Sequence, residues 1–297
     1  MKLFDCFMYF NEDLILDIRL NELNDKVDKF VIIESCYTHS GERKNYNFDI
    51  NKFKKFSDKI EYIKIEENPP DLIEIFSTDK EDEVKHKQIL NALKIENYQR
   101  NCISRGLKSA DDEDFILISD VDEIPNLKSV NIKEKKNKII LFEQYFFHYK
   151  FNLYLKNFYF HGTKGCRKKE FISPQWLRNV KNKKYPFYRI DTFFSKKKYS
   201  NVLIVKNGGW HFTNIMSAEK IVYKLKSFLH HADTPIENLN KKNFENFIKD
   251  RIINYDHSAD KKSDRFISKE LSFFDYNLLP NYIKNNNSKF QEWFYKN

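Results

Sequence analysis

Phe115-Ile-Leu-Ile-Ser-Asp120-Val-Asp122-Glu123-Ile-Pro125 is the stretch on which the fold turns. An apolar run of this length, bounded by polar clusters, reads as a strand buried on both faces. Three carboxylates then fall within four positions, and a proline closes the segment. Open α/β sheets bind their ligands at the carboxyl ends of such strands. Continued strand alternation would put Asp120 and Asp122 on one side. Two like charges so placed call for a cation, and hard carboxylate oxygens suit Mg²⁺ or Mn²⁺.

Working outward, the segment before it carries Leu90, Leu93, Tyr98, Cys102, Ile103 and Leu107 as an apolar stripe, which predicts one long helix from Asp82 to Ser109. Glu96, Gln99, Arg100 and Asn101 cluster in its second half and lead into the carboxylate strand. At the chain start, Leu3–Phe10 reads as a strand interrupted by Asp5, a helix begins near Asp13, and Lys29–Glu34 forms a second strand. This is a crossover unit of a parallel sheet. Glu34 ends the second strand, where nucleotide-binding folds often place an acid on a ribose hydroxyl, and a structural role competes with that reading. Ile60–Ile65 supplies a third strand.

Downstream, Ile139–Tyr149 and Phe151–Phe160 read as antiparallel aromatic strands, with core packing as the first reading and sugar stacking as the second. Ser173-Pro-Gln-Trp-Leu-Arg178 opens like a capped helix with proline in its first turn. Val202–Val205 leads into Gly208-Gly-Trp-His-Phe212, and Glu219–Leu229 is amphipathic. The division expected is a main domain over 1–235 and a helical extension over 236–297, packed on the same domain.

Composition narrows the function. Only 6 glycines and no GxGxxG between the first strand and helix argue against a nicotinamide or flavin enzyme. The net charge of +9 is concentrated: 132–206 holds 16 Lys and 3 Arg against 4 acids. Such a face is solvated or attracts phosphates, anionic glycans or a membrane surface. Peripheral membrane contact through this basic middle is therefore an expectation, and nucleic acid is not. The 4 cysteines form no CxxC pair, so zinc is poorly supported and buried free thiols are expected. No stretch reads as a signal peptide or a spanning helix, which predicts a cytoplasmic protein.

Four stretches taken in order resemble glycosyltransferase family 17, the group containing the β-1,4-mannosyl-glycoprotein β-1,4-N-acetylglucosaminyltransferases. They are Asp5-Cys-Phe-Met-Tyr-Phe-Asn-Glu12 with Arg19-Leu-Asn-Glu-Leu23; Gln99-Arg-Asn101 with Gly106-Leu107; Ile118-Ser-Asp-Val-Asp-Glu-Ile-Pro125; and Gly208-Gly-Trp-His-Phe212 with Glu219, Lys224, Ser227-Phe228 and His230. They span residues 1 to 230. The resemblance implies an α/β fold of the GT-A type, with a Rossmann-like mixed sheet flanked by helices. It implies inverting transfer from a UDP-sugar, UDP-N-acetylglucosamine first, to a glycan or glycoconjugate acceptor with a divalent metal.

On that reading Asp122 holds the metal, His211 completes the site with His230 as its rival, and Asp120 holds the ribose or shares the metal. Arg100, Lys164 and Arg178 add positive charge near the diphosphate, and Asn11, Glu34 and Asn101 join the donor side. Glu123 is the nearest candidate base, with Glu143, Asp191 and Glu219 as alternatives. Two other readings compete: a haloacid-dehalogenase-like phosphohydrolase using the first Asp as nucleophile, and a basic nucleic-acid-binding protein.

Overall fold

The computed structural model describes residues 1–227, 240–253 and 269–296. The chain opens as β1 (Leu3–Met8), α1 (Asp13–Leu23), β2 (Lys29–Ser35) and β3 (Ile60–Ile65), with β1–β2 and β2–β3 both parallel. After α2 (Glu81–Asn101) and a 3-10 segment at Cys102–Leu107, β4 (Phe115–Asp120) returns beside β1 on its other side, in parallel, with Met8 opposite Asp120. The long helix expected from Asp82 to Ser109 therefore tightens at Asn101. Gly106 explains why the tight segment can lie flat on the sheet: a Cβ there would fall 2.4 Å from Val31 Cγ1.

Next come β5 (Glu123–Pro125), β6 (Ile139–Phe142), β7 (Gln144–His148), β8 (Leu153–Phe160), β9 (Lys164–Arg167), α3 (Pro174–Asn179), β10 (Val202–Val205), β11 (Gly209–Thr213) and α4 (Ala218–Ser227). The main sheet runs β10-β6-β9-β4-β1-β2-β3, with β9 antiparallel to its neighbours β4 and β6. The aromatic run expected as one strand over Ile139–Tyr149 breaks at Glu143, so β6 stays in the main sheet while β7 enters a second.

The rest of the described chain forms α5 (Lys241–Asp250), β12 (Ile252–Ile253), β13 (Lys269–Glu270), β14 (Ser272–Phe273), α6 (Asn281–Asn285) and α7 (Asn287–Phe290). The second sheet runs β14-β8-β7-β11-β5, and β12 pairs with β13. The boundary expected near 235 falls outside the described residues. The extension is helical in part and packs on the main body: β14 extends the second sheet, and Leu279, Ile283 and Phe290 join the core under α1.

Strand alternation sorts the core into two faces. Phe7, Phe30, Phe115 and Leu117 pack towards α1, while Cys6, Val31, Ile116 and Ile118 pack on the opposite face with Ile103, Trp176 and Leu177. β4 is thus covered on both sides, as its apolar run predicts. The aromatic rings of Phe147, Tyr154 and Phe274 meet in tilted and edge-to-face pairs within the body, so core packing is the role of that cluster. All four cysteines are free and buried. Among the described residues no helix is long and apolar enough to cross a membrane.

Candidate active site where the two sheets meet

Strand order reverses between β1 and β4, because β2 and β3 lie on one side of β1 and β4 on the other. That reversal opens a crevice at the carboxyl ends of the two strands. Tyr9 to Glu12 leave β1 into it, and Asp120 ends β4 beside them. The chain then turns at Val121 and Asp122 and immediately enters the second sheet as β5, an edge strand paired antiparallel with β11. Glu123 lies opposite His211 in that pairing, and the Phe212 N–H donates to the Asp122 carbonyl at 2.9 Å. The Asp-x-Asp stretch is therefore the hinge between two sheets. Gly209 makes the pairing close: its φ is +142°, and a Cβ would lie 2.2 Å from the Ile124 carbonyl oxygen.

A buried arginine holds the hinge in shape. Arg19 of α1 sits among Leu16, Leu20 and Leu23, fully buried, and pairs with Asp5 of β1 through Nε–Oδ2 at 2.7 Å and Nη2–Oδ1 at 2.6 Å. Its Nη1 donates to the carbonyls of Asp120, Val121 and Glu123 at 3.1, 3.1 and 3.0 Å, and Nη2 donates to Ser119 Oγ at 2.5 Å. Arg19 thus supplies donors to buried turn carbonyls, of which that of Glu123 also accepts from Thr163 Oγ1 at 2.8 Å. The sequence reading assigned Arg19 no role. Its signal was available: Asp5 interrupts an apolar strand and Arg19 interrupts the apolar stripe of the following helix.

Asp120 is clamped by cations from two helices. Arg178 of α3 donates to Asp120 Oδ2 at 2.9 Å and Arg100 of α2 to Asp120 Oδ1 at 3.1 Å. Desolvation works against the charged form, yet Arg178 and Arg100 outweigh it and hold this carboxyl well below the usual range. Glu123 sits beneath, fully buried, taking Arg178 at 2.7 and 3.0 Å and the Asp120 N–H at 2.7 Å. Burial pushes its carboxyl up, opposed by Arg178. With both oxygens engaged and no exposure, Glu123 braces Arg178 and is not placed to meet an acceptor hydroxyl. Lys164 is likewise behind the site. Its Nζ donates to the carbonyls of Arg178 and Val180 at 2.6 and 2.5 Å, capping the end of α3. Burial and the Arg178 charge lower it to about 7, and a neutral amine has two N–H groups for those two carbonyls.

Asp122 has different company. Its Oδ1 lies 3.6 Å from His211 Nε2 and its Oδ2 3.7 Å from Lys224 Nζ of α4. Lys224 also reaches Glu12 Oε1 at 3.2 Å, and Glu12 Oε2 accepts the N–H groups of Phe10 and Asn11 at 3.1 and 3.0 Å. Burial lowers the Lys224 pKa, but Glu12 and Asp122 outweigh it, so the ammonium form is favoured. The His211 ring is wedged against Phe160 and Phe146, with centroids at 4.5 and 5.1 Å, and Nε2 is 3.1 Å from Thr213 Oγ1. Alternation from Asp120 does not persist, because the turn ends the strand. The two aspartates face separate partner sets.

The remaining expected residues divide. Asn11 stands at the crevice, and its buried Oδ1 has no hydrogen-bond partner among the described residues. Glu34 is fully committed elsewhere, taking Lys44 at 2.6 Å, the N–H groups of Asn47 and Phe48 at 2.7 and 3.0 Å, and the Tyr62 hydroxyl at 2.8 Å. It shapes the loop after β2 and leaves no oxygen for a ribose. Asn101 Oδ1 accepts the Gln175 N–H at 3.1 Å, tying α2 to α3. Glu143 pairs with Lys206 at 2.6 Å, Asp191 with Arg189 and Lys198 at 2.8 Å, and Glu219 with Lys241. His230 lies outside the described residues. Glu96, part of the polar cluster read in the second half of α2, pairs with Arg100 at 2.7 Å, whereas Glu12 and Thr213 carried no expected role.

No curated protein matches the chain. The family model of glycosyltransferase family 17 matches residues 1–291, nearly the whole chain, and the protein belongs to that family.

Proposed function

We propose that this glycosyltransferase transfers a sugar, N-acetylglucosamine first by the family resemblance, from a UDP-sugar to a glycan hydroxyl with inversion, and that Mn²⁺ or Mg²⁺ assists at Asp122 and His211. The observation that carries the metal is the meeting of Asp122 Oδ1, one residue before β5, with His211 Nε2 of the paired strand β11 at 3.6 Å. Among the described residues no three His, Cys, Asp or Glu side chains gather to enclose an ion. A cation of this class characteristically uses one or two protein ligands and takes its other oxygens from phosphates and water. The donor set, one carboxylate with one imidazole, fits that pattern.

Charge points the same way. Around the crevice Glu12, Glu96, Asp120, Asp122 and Glu123 face Arg100, Arg178 and Lys224, each of which already has carboxylate partners. Carboxylates outnumber cations, and a diphosphate would add further negative charge in a partly desolvated place. When bound, the metal would supply Lewis-acid neutralisation of the charge that develops on the departing diphosphate.

The protein's own groups then divide the work. Arg100 and Arg178 keep Asp120 ionised and fixed, so that its exposed edge accepts hydrogen bonds from donor hydroxyls. Asn11 offers an unpaired acceptor for an N–H or O–H of the nucleotide, which would satisfy a buried oxygen. Arg19 holds the hinge backbone so that the two aspartates keep their separation. Incubation with UDP-N-acetylglucosamine and Mn²⁺ tests the reading: slow release of UDP to water is expected, faster with a suitable acceptor and abolished by chelation. Metal-independent release, or turnover of phosphate monoesters alone, would sink it.

A further inference from the structure

Between α3 and β10 the chain exposes an apolar tip that the transferase site does not use. Phe187, Tyr188, Ile190, Phe193 and Phe194 are 81, 71, 72, 78 and 87% exposed. Five large apolar side chains so close together on a surface mark an interaction site. The two legs that carry them are joined at the base. The Lys181 N–H donates to the Lys197 carbonyl at 2.8 Å and the Tyr185 N–H to the Tyr199 carbonyl at 3.1 Å, while Trp176 Nε1 of α3 donates to the Lys196 carbonyl at 2.6 Å. The legs bring their lysines together: residues 181–198 hold seven basic side chains against one acid, Asp191, which is itself paired with Arg189 and Lys198 at 2.8 Å.

We propose that this loop seats the protein on an anionic lipid bilayer, the rings and Ile190 entering the headgroup boundary while the lysine collar pairs with lipid phosphates. Aromatic side chains favour that boundary, and basic residues beside it add electrostatic attraction that grows with anionic lipid. The order of the loop favours a membrane over a nucleic acid. Single-strand binders line a basic groove with aromatic rings on which bases stack. Here the apolar residues, one of them without a π face, form the far end of a stem whose legs carry the charge. Because the stem springs from the end of α3, two residues beyond the last turn that holds Arg178, seating it would set the α3 wall of the crevice next to the lipid surface.

Sedimentation of the full chain with phosphatidylcholine vesicles, with and without phosphatidylglycerol, tests this directly. Binding is expected to the anionic vesicles only and to weaken with salt. F187S/F193S/F194S should reduce the partition at least roughly tenfold at an unchanged thermal midpoint. K181Q/K183Q/K184Q should reduce it several-fold and flatten its salt dependence. Failure of the parent to bind anionic vesicles overturns the proposal, as does undiminished binding by the aromatic variant. It is also overturned if the aromatic variant loses affinity for a single-stranded oligonucleotide but not for vesicles, or if it dissolves a dimer of the parent. None of these outcomes depends on the donor or the metal.

Discussion

Asp120 and Asp122 are two residues apart in one motif, yet the fold treats them as opposites. Asp120 ends a strand of the main sheet between two guanidiniums, and its partners are fixed by helices α2 and α3. Asp122 lies in the turn itself, one residue before the second sheet, with His211 Nε2 and Lys224 Nζ beyond hydrogen-bond range at 3.6 and 3.7 Å. One carboxylate accepts hydrogen bonds from two guanidiniums, and the other has only the more distant His211 and Lys224 beside it. The difference comes from where the strand ends: period-two alternation holds up to Asp120 and the hinge discards it. The spacing of the two acids alone does not separate them, whereas their three-dimensional partners do, and the proposed metal role at Asp122 rests on that difference.

If that contrast is right, Asp122→Asn should have the largest effect on function. Transfer should fall by on the order of 10³-fold or more, about 4 kcal/mol of transition-state stabilisation, because the lost charge matters most when the diphosphate departs. Denaturant stability should change by less than about 1 kcal/mol, since the carboxylate holds little of the fold. Steady-state kinetics and urea melts on the same preparation check both halves. The reverse pattern is expected on the braced side. Arg178→Met would leave Glu123 buried and unpaired, and should destabilise by about 3–5 kcal/mol in a urea melt. A loss below about 1 kcal/mol would show that the brace is not needed.

His211→Ala sharpens the open side. Mn²⁺ affinity, read by calorimetry, should weaken roughly 10–100-fold, with the fold intact. An unchanged titration would return the imidazole to a packing role between Phe146 and Phe160. The smallest effect is a pH signature at Lys164. Its folded pKa of about 7 lies below the ordinary 10.5, so between those values the unfolded chain binds the extra proton and stability rises with pH. Below about pH 7 both states carry the charge and the contribution is flat. Relative to Lys164→Met, the parent should therefore gain up to about 1.4 kcal/mol per pH unit from pH 7.5 to 9. Identical slopes would mean that the amine stays charged in the fold.

Much of this was legible in the chain. The apolar runs of β1 to β4, the helix after Asn11 and the Ser173 cap of α3, whose Oγ accepts the Trp176 N–H at 3.1 Å, follow from local pattern. The meeting of Asp122 and His211 was anticipated from the family's motifs rather than from spacing. What escaped were long-range polar contacts. Glu34 ends its strand in a place typical of ribose ligands, but the loop 44–48 folds back and takes both oxygens. Glu123 and Lys164 looked like active-site charges, and the body closes over both because α3 needs a counterion and a cap. The reading also missed the Asp5–Arg19 pair, although two charges inside facing apolar patterns are a signal that can be sought in any sequence.

Calorimetric titration of UDP-N-acetylglucosamine with and without Mn²⁺, run on the parent, Asp122→Asn and Asp120→Asn, tests the division between the two aspartates most directly. The parent should bind donor in a metal-dependent way. Asp122→Asn should lose the response to metal, and Asp120→Asn should bind more weakly while keeping it. Metal-dependent binding that survives in Asp122→Asn and vanishes in Asp120→Asn would contradict the assignment.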